Sequence, residues 1–290
     1  MELKRLKTGI TDTSYGVYPR ALALDRIAAH GYDNVDFQGF VDIEKPSFKS
    51  DMPEFVAWLT REREEFAARG LTVGQAHAPW RWPAKDADPE EREIWLTAMK
   101  KSIYGAHVLG CNRFIVHPLM PYSDTCKGKD EVIEMNLDFF SELADAAEEY
   151  GVTVCMENLP FPDYPLASVE AVCDFVDRVN KDSLKVCLDT GHAAIFNRDV
   201  GSAVRYIGDR LGAVHIHDNM GDADSHLIPG DGIIDWDAFA SALKDVGFIG
   251  TVSLETSAKH RLHPESEWEM REIALAGIAL DIAKKAHGGQ

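Results

Sequence analysis

Six residues able to bind a divalent metal recur along the chain, each just past a short β-branched or apolar run. They are His77 in GQAHAPW, His117 in FIVHPLMP, Glu157 in VCMENLP, Asp189 in KVCLDTGH, His215 in AVHIHDN and Glu255 in VSLET. One such residue at a strand end is commonplace. The same arrangement in unit after unit means that several strands aim side chains at one point. Imidazole nitrogens and carboxylate oxygens converging there make a site for a divalent cation. Core packing does not explain the set. Glu157 and Asp189 close the apolar runs VTVCME and LKVCLD, where an isolated charge is costly unless paired or coordinated.

A second tier widens the set. His192 follows Asp189 by three residues in DTGH, so a tight turn lets both face one point. Asp224 and His226 lie two apart in DNMGDADSHLIPGDGIIDW, and an extended loop puts both on one side. A solvated acidic loop is the alternative for that pair. His217 shares the face of His215 and competes with it for the metal, and Asp218 is placed to orient a ligand imidazole. Trp80 and Trp82 in APWRWP offer an apolar wall against a sugar, the alternative being a loop packed on Pro79 and Pro83. Tyr15, Phe37 and Gln38, at the ends of the first two strands, are further candidates for the same pocket. Lys259 and Arg261 follow the last strand, where barrel loops often grip phosphate; a solvated basic patch is the plainer reading. The GDG at Gly230–Gly232 is a turn signal and no phosphate cradle.

The elements that must position these residues alternate from end to end. Strands are expected at Lys7–Thr11, Asn34–Gln38, Thr72–His77, Arg113–His117, Thr153–Glu157, Leu184–Asp189, Ala213–His217 and Thr251–Glu255. Helical stretches are expected at Asp51–Arg69, Pro89–Leu109, Asp130–Tyr150, Ser168–Val179, Val200–Ile207, Trp236–Val246 and Pro264–Ala286. Several stop at glycine, as in ARGLTV and EYGVTV, before the next strand. No linker or composition break interrupts the series. Eight units in one domain of residues 1–290 predict an α/β fold, a single (β/α)8 barrel, a type that runs to about 250 residues. A doubly wound sheet would gather its site at one switch point instead of drawing on most strands.

Bulk properties narrow the partners. The chain is 45% hydrophobic and 27% charged, as an ordinary globular protein is. With 30 basic and 48 acidic residues its net charge is -18, which disfavours nucleic acid and anionic lipid. No run reaches the roughly 18 apolar residues of a membrane helix, and MELKRLKTGI lacks the apolar stretch of a signal peptide. Cys111, Cys126, Cys155, Cys173 and Cys187 are scattered, odd in number and free of any CxxC, which predicts reduced thiols in a cytoplasmic protein. The sequence is compatible with a homo-oligomer, although a barrel of this size is stable alone.

The segments ENLP, CLDTGH, HIHDN, DSHLIPGDGIIDW and SLET resemble the sugar phosphate isomerase/epimerase superfamily, over most of the chain from the third strand onward. The resemblance implies a xylose-isomerase-like barrel, a fold shared with endonuclease IV, ketohexose 3-epimerases, and inosose isomerases and dehydratases. It implies a metal quartet of Glu157, Asp189, His215 and Glu255, favouring His215 over His217, with Glu157 and Glu255 as acid/base pair. It also supplies a residue for each of the nine ligands with which endonuclease IV holds three zinc ions. Here these are His77, His117, Glu157, Asp189, His192, His215, Asp224, His226 and Glu255. The wording of DTGH and PGDGIIDW leans toward the isomerase side.

The expected activity is therefore metal-dependent isomerisation or epimerisation of a ketose, inosose or related polyol. The ion would be Mn, Zn or Co, with Mg less favoured by the histidines. His117, His192, Trp80 and Trp82 would contact substrate. Two alternatives share the scaffold: a zinc phosphodiesterase of the endonuclease IV type, and a dehydratase or lyase whose first proton abstraction is the same. The phosphodiesterase needs a basic barrel mouth. Only CKGKD and AKHRLHP cluster positive charge there.

Overall fold

The structure, a computed structural model, describes residues 5–81, 88–120, 128–196 and 199–287. Eight parallel strands close into a barrel in sequence order. They are β1 (Lys7–Thr11), β2 (Asn34–Phe37), β3 (Thr72–His77), β4 (Arg113–Val116), β5 (Thr153–Glu157), β6 (Leu184–Asp189), β7 (Leu211–Ile216) and β8 (Thr251–Leu254). Register pairs from Lys7↔Thr251 to Ile10↔Leu254 join β1 to β8 and complete the ring.

Around it run α1 (Arg20–Ala29), α2 (Pro46–Lys49), α3 (Met52–Ala67), α4 (Pro89–Leu109), α5 (Lys129–Glu149), α6 (Val169–Val179), α7 (Thr190–Ile195), α8 (Val200–Ile207), α9 (Trp236–Asp245) and α10 (Glu265–Lys285). Local chemistry explains their limits. Asp51, Asp88, Ser168, Asp199 and Asp235 each accept a backbone N–H as N-caps of α3, α4, α6, α8 and α9. Gly110 ends α4 at φ 76°, a left-handed conformation that costs glycine little. Among the described residues, no helix is long and apolar enough to cross a membrane.

The predicted strands and seven predicted helices stand within a residue or two of these bounds. Three helices went unread. α1 follows Pro19 with no side-chain cap and buries only Ala23, Leu24 and Ile27. α2 and α7 are too short to show a period.

Strand alternation builds the site. Ile115, Cys155, Cys187 and Ala213 form a buried cluster inside the barrel. Each lies two residues before a candidate ligand: His117, Glu157, Asp189 and His215. A period of two therefore lifts those four onto the next interior layer at the C-terminal rim. Phe37 has the opposite parity to Asp36 and packs outside the barrel with Phe40, Trp58 and Phe66. Fully buried Tyr15 packs edge-on against His30 and His260. Neither lines the predicted pocket. Gln38 backs the site from behind, its Nε2 donating to Asp36 Oδ1 at 3.1 Å. Cys111, Cys155, Cys173 and Cys187 are free, buried thiols; Cys126 lies outside the described residues.

Candidate metal centre

All nine predicted ligands gather at the barrel mouth in three linked nests. Glu157, Asp189, His215 and Glu255 place ligand atoms within 4.8 Å of one another. His77, His117 and Glu157 form a second nest of the same closeness. The third comprises Asp189, His192 and His217, continued by His217, Asp224 and His226. Glu157 thus belongs to the first two nests, and Asp189 to the first and third.

The inner nest is tight. His215 Nδ1 lies 2.9 Å from Glu157 Oε1 and 2.9 Å from Glu255 Oε2. Glu157 Oε2 lies 3.2 Å from His117 Nε2 and 3.7 Å from His77 Nε2. His192 Nε2 reaches Asp224 Oδ2 at 3.4 Å, and His226 Nε2 reaches Asp224 Oδ1 at 3.3 Å. His217 Nε2 sits 3.0 Å from Asp189 Oδ1 and its ring stacks on His226 at 4.0 Å.

The hydrogen bonds show what the nests suit. His77 Nδ1 faces the Ala78 carbonyl at 2.9 Å, His192 Nδ1 the Asn158 carbonyl at 2.7 Å, and His226 Nδ1 the Glu255 carbonyl at 2.6 Å. Only an N–H can face a carbonyl, so each of these nitrogens donates and the other ring nitrogen turns to a carboxylate. His215 does the same, donating from Nε2 to Asp36 Oδ2 at 2.9 Å. Neutral imidazoles would then oppose lone pair to lone pair. A proton or a metal cation on each inward nitrogen resolves the conflict. Asp189 Oδ2 is buried without a hydrogen bond, and Glu157 Oε2 faces the His117 and His77 Nε2 atoms. These acceptors fit a bound divalent ion, and the mixed nitrogen and oxygen donors suit Mn, Zn or Co.

Electrostatics follow the same geometry. Burial raises the Glu157 carboxyl, but the His215 charge and hydrogen bonds from His117, His215 and His77 hold it well below its usual value. Burial likewise opposes ionisation of Glu255, and His215 outweighs it, leaving a pKa of about 2. Burial lowers His192 and His226, yet Asp189 and Asp224 dominate the first and Asp224 and Glu255 the second. They stand at about 10 and about 9. His215 is raised well above its usual value against burial, chiefly by Glu255 and Glu157. Both carboxylates of the predicted acid/base pair are therefore ionised at neutral pH.

Two supporting residues escaped the sequence reading. Asp36 is fully buried on β2 and also accepts from Gln75 Nε2 at 2.9 Å. It fixes the His215 ring, so Nδ1 must face the nest. A carboxylate inside NVDFQ was its signal. Asn158 locks β5 to β6, its Oδ1 accepting from Asp189 N at 2.8 Å and its Nδ2 donating to Asp189 O at 3.1 Å. His217, set below His215 as a ligand, takes part in the outer nest. Gly191 makes room for it: a Cβ there would lie 2.0 Å from His217 Cε1.

Asp218 does not orient an imidazole. It accepts N–H bonds from Gly230, Ile234 and Trp236 Nε1 and so organises the loop after β7. Trp80 is 41% exposed, with its ring 5.5 Å from that of His117, at the edge of the mouth. Trp82 lies outside the described residues.

Comparison with known proteins agrees with this fold. Inosose isomerase of Bacillus subtilis is 30% identical over 167 residues, 55% of this chain and 59% of that protein. D-psicose 3-epimerase of Ruminiclostridium cellulolyticum is 31% identical over 193 residues, 64% of each chain. The matched part thus spans less than two thirds of either relative. The crystal structure of D-psicose 3-epimerase with D-tagatose from Clostridium cellulolyticum H10 superposes with a TM-score of 0.78 at 20% identity, covering 96% of this chain and 100% of that one. An IOLI protein structure with a zinc atom gives 0.74 at 23% identity, covering 97% and 100%. At such identities these superpositions establish the fold. A family model described as xylose isomerase-like TIM barrel matches residues 24–275, and the chain belongs to that family.

Proposed function

We propose that the protein is a divalent-metal-dependent isomerase or epimerase of a ketose, inosose or related polyol. One observation carries the reading: two ionised glutamates, from β5 and just after β8, face the same imidazole nitrogen of the inner nest at 2.9 Å each. The relatives named inosose isomerase and D-psicose 3-epimerase support the substrate class.

Glu157, Asp189, His215 and Glu255 would hold the ion. When bound, it supplies Lewis-acid polarisation of a carbonyl, making the neighbouring C–H acidic enough to lose a proton. The carboxylates do the proton work. Glu255 has a side chain 24% exposed and is open to substrate, whereas Glu157 is 1% exposed. One glutamate takes the proton from the carbon beside the carbonyl and leaves an enediolate. The proton then returns either from that same glutamate, to the adjacent carbon, or from the other glutamate once it has taken one up from solvent, to the opposite face of the first carbon. His192 and Trp80 flank the mouth as substrate contacts. The test is solvent proton exchange into candidate ketoses and inososes. Exchange retained by a Glu157→Gln/Glu255→Gln double variant would refute the two-glutamate mechanism.

The second and third nests favour one competing reading, a multi-metal phosphodiesterase, because the mouth has donors for more than one ion. Metal counting with an abasic-duplex nicking assay separates the two. Three zinc ions with nicking would select the phosphodiesterase.

A further inference from the structure

Beside the metal nests, the loops after β1 and β8 border an open cavity of about 310 Å³. Thr13, Ser14, Ser257, Lys259, His260 and Arg261 line it. None of its lining residues is a carboxylate, although the chain carries 48 acidic residues against 30 basic ones. Two cations concentrated in one cavity run against that average.

The cavity is built rather than incidental. Ser14 Oγ donates to the Thr256 carbonyl at 2.9 Å and pairs with Thr11 Oγ1 at 2.6 Å, so the two loops are tied together. The floor is His260, whose Nε2 bonds Glu272 Oε1 at 2.6 Å. Glu272 is fully buried on α10 and also accepts from Tyr18 Oη at 2.8 Å and Arg26 Nε at 2.6 Å. Arg26 therefore compensates its charge, and Tyr15, Tyr18 and Trp268 pack edge-on around the His260 ring. Above this floor Lys259 adopts φ 52°, in the left-handed region that non-glycine residues seldom occupy. Such conformations persist where surrounding structure holds them, often at ligand clamps.

The cationic groups are available. The nearest hydrogen-bond partner of Lys259 Nζ is the Ser225 carbonyl, at a long 3.4 Å. Arg261 is exposed and forms no ion pair with a carboxylate among the described residues. Ser257 Oγ accepts from Lys259 N at 3.2 Å, which leaves its own proton to donate. Ser225 follows Asp224, a member of the outer nest, so the cavity abuts the metal centre.

We propose that this cavity is a subsite for a small oxyanion, a phosphate or carboxylate carried by the substrate, gripped by Lys259 and Arg261 with the Thr13 and Ser257 hydroxyls. Arg261 offers a fork of N–H donors suited to either group, and Lys259 a point charge. The sugar part of that substrate rests on the isomerase reading above; the anion subsite does not.

Two experiments keep the readings apart. The first titrates inorganic phosphate into the manganese-loaded protein and into a Lys259→Asn/Arg261→Gln variant. Asparagine tolerates the left-handed backbone, so the fold is preserved. Losing two charge-assisted contacts is expected to weaken phosphate binding by about tenfold or more. Equal binding by both proteins would mean that phosphate sits elsewhere, for instance on the metal, and would overturn the subsite.

The second compares kcat/KM for a neutral ketose, its terminal phosphate and the matching keto acid. The ratio of anionic over neutral substrate is expected to fall about tenfold in the variant, and whichever anion shows the fall identifies the group. A ratio unaltered for both anions overturns the proposal. Proton exchange with no carbonyl compound would sink the isomerase reading and leave the phosphate titration to decide the subsite.

Discussion

The inner quartet and the outer nest share Asp189, yet they are held in different ways. The quartet stands on strand ends. Asp189 pairs in register with His215, and His215 with Ser253, two residues before Glu255. Barrel closure alone fixes these positions. The outer nest takes Asp224 and His226 from a loop, with side chains 32% and 34% exposed. His226 sits at φ 45°, and the loop is pinned by Asp218 and an isolated bridge between Asp218 and Leu227. The contrast separates what the fold dictates from what the loops can vary. On the proposed reading the strands would carry the chemistry, and the loops the choice of substrate or ion count.

The largest effect expected on this contrast lies inside the quartet. Glu157→Gln with Glu255→Gln should lower solvent proton exchange by about ten-thousandfold, read by deuterium incorporation. Metal content tests the two nests next. Glu157→Gln should lose the ion of the quartet, whereas Asp224→Asn should keep it. Equal losses by elemental analysis would erase the distinction.

Asp36→Asn should weaken inner-nest metal affinity by about 10- to 100-fold in a chelator competition, because His215 loses its orienting partner. Unaltered affinity would show that the ring needs no such support.

The smallest effect expected is a pH dependence. In the metal-free protein His192 and His226 hold protons up to about pH 10 and about pH 9. Their folded pKa values exceed the unfolded ones. The stability they contribute is therefore complete below about pH 6.5 and is lost as pH rises through their folded values. A bound ion replaces those protons, so metal affinity should rise over the same window. Thermal melts with and without metal should converge toward low pH and diverge toward high pH.

Strand ends were legible because apolar runs closing on a charge admit few explanations. The quartet, His77 and His117 all follow from that single regularity. Asp36 was harder to find because its partner is 179 residues away and nothing nearby in sequence announces it. Parity along β2 would have found it: Phe37 belongs to the helix-facing side, so Asp36 must face inward. His217 was visible as a neighbour of His215, but its separate nest depends on the fold of the loop after β7. Asp218 was misread for the same reason, since its partners Gly230, Ile234 and Trp236 lie up to 18 residues downstream.

The most direct test of the central claim is deuterium exchange. Manganese-loaded protein would be incubated in heavy water with neutral ketoses, inososes and their anionic counterparts. Deuterium should appear at the carbon beside the carbonyl of at least one of them, and the Glu157→Gln/Glu255→Gln protein should abolish it. Fully loaded protein that exchanges no carbonyl substrate, or a double variant that exchanges as well as the native chain, would contradict it.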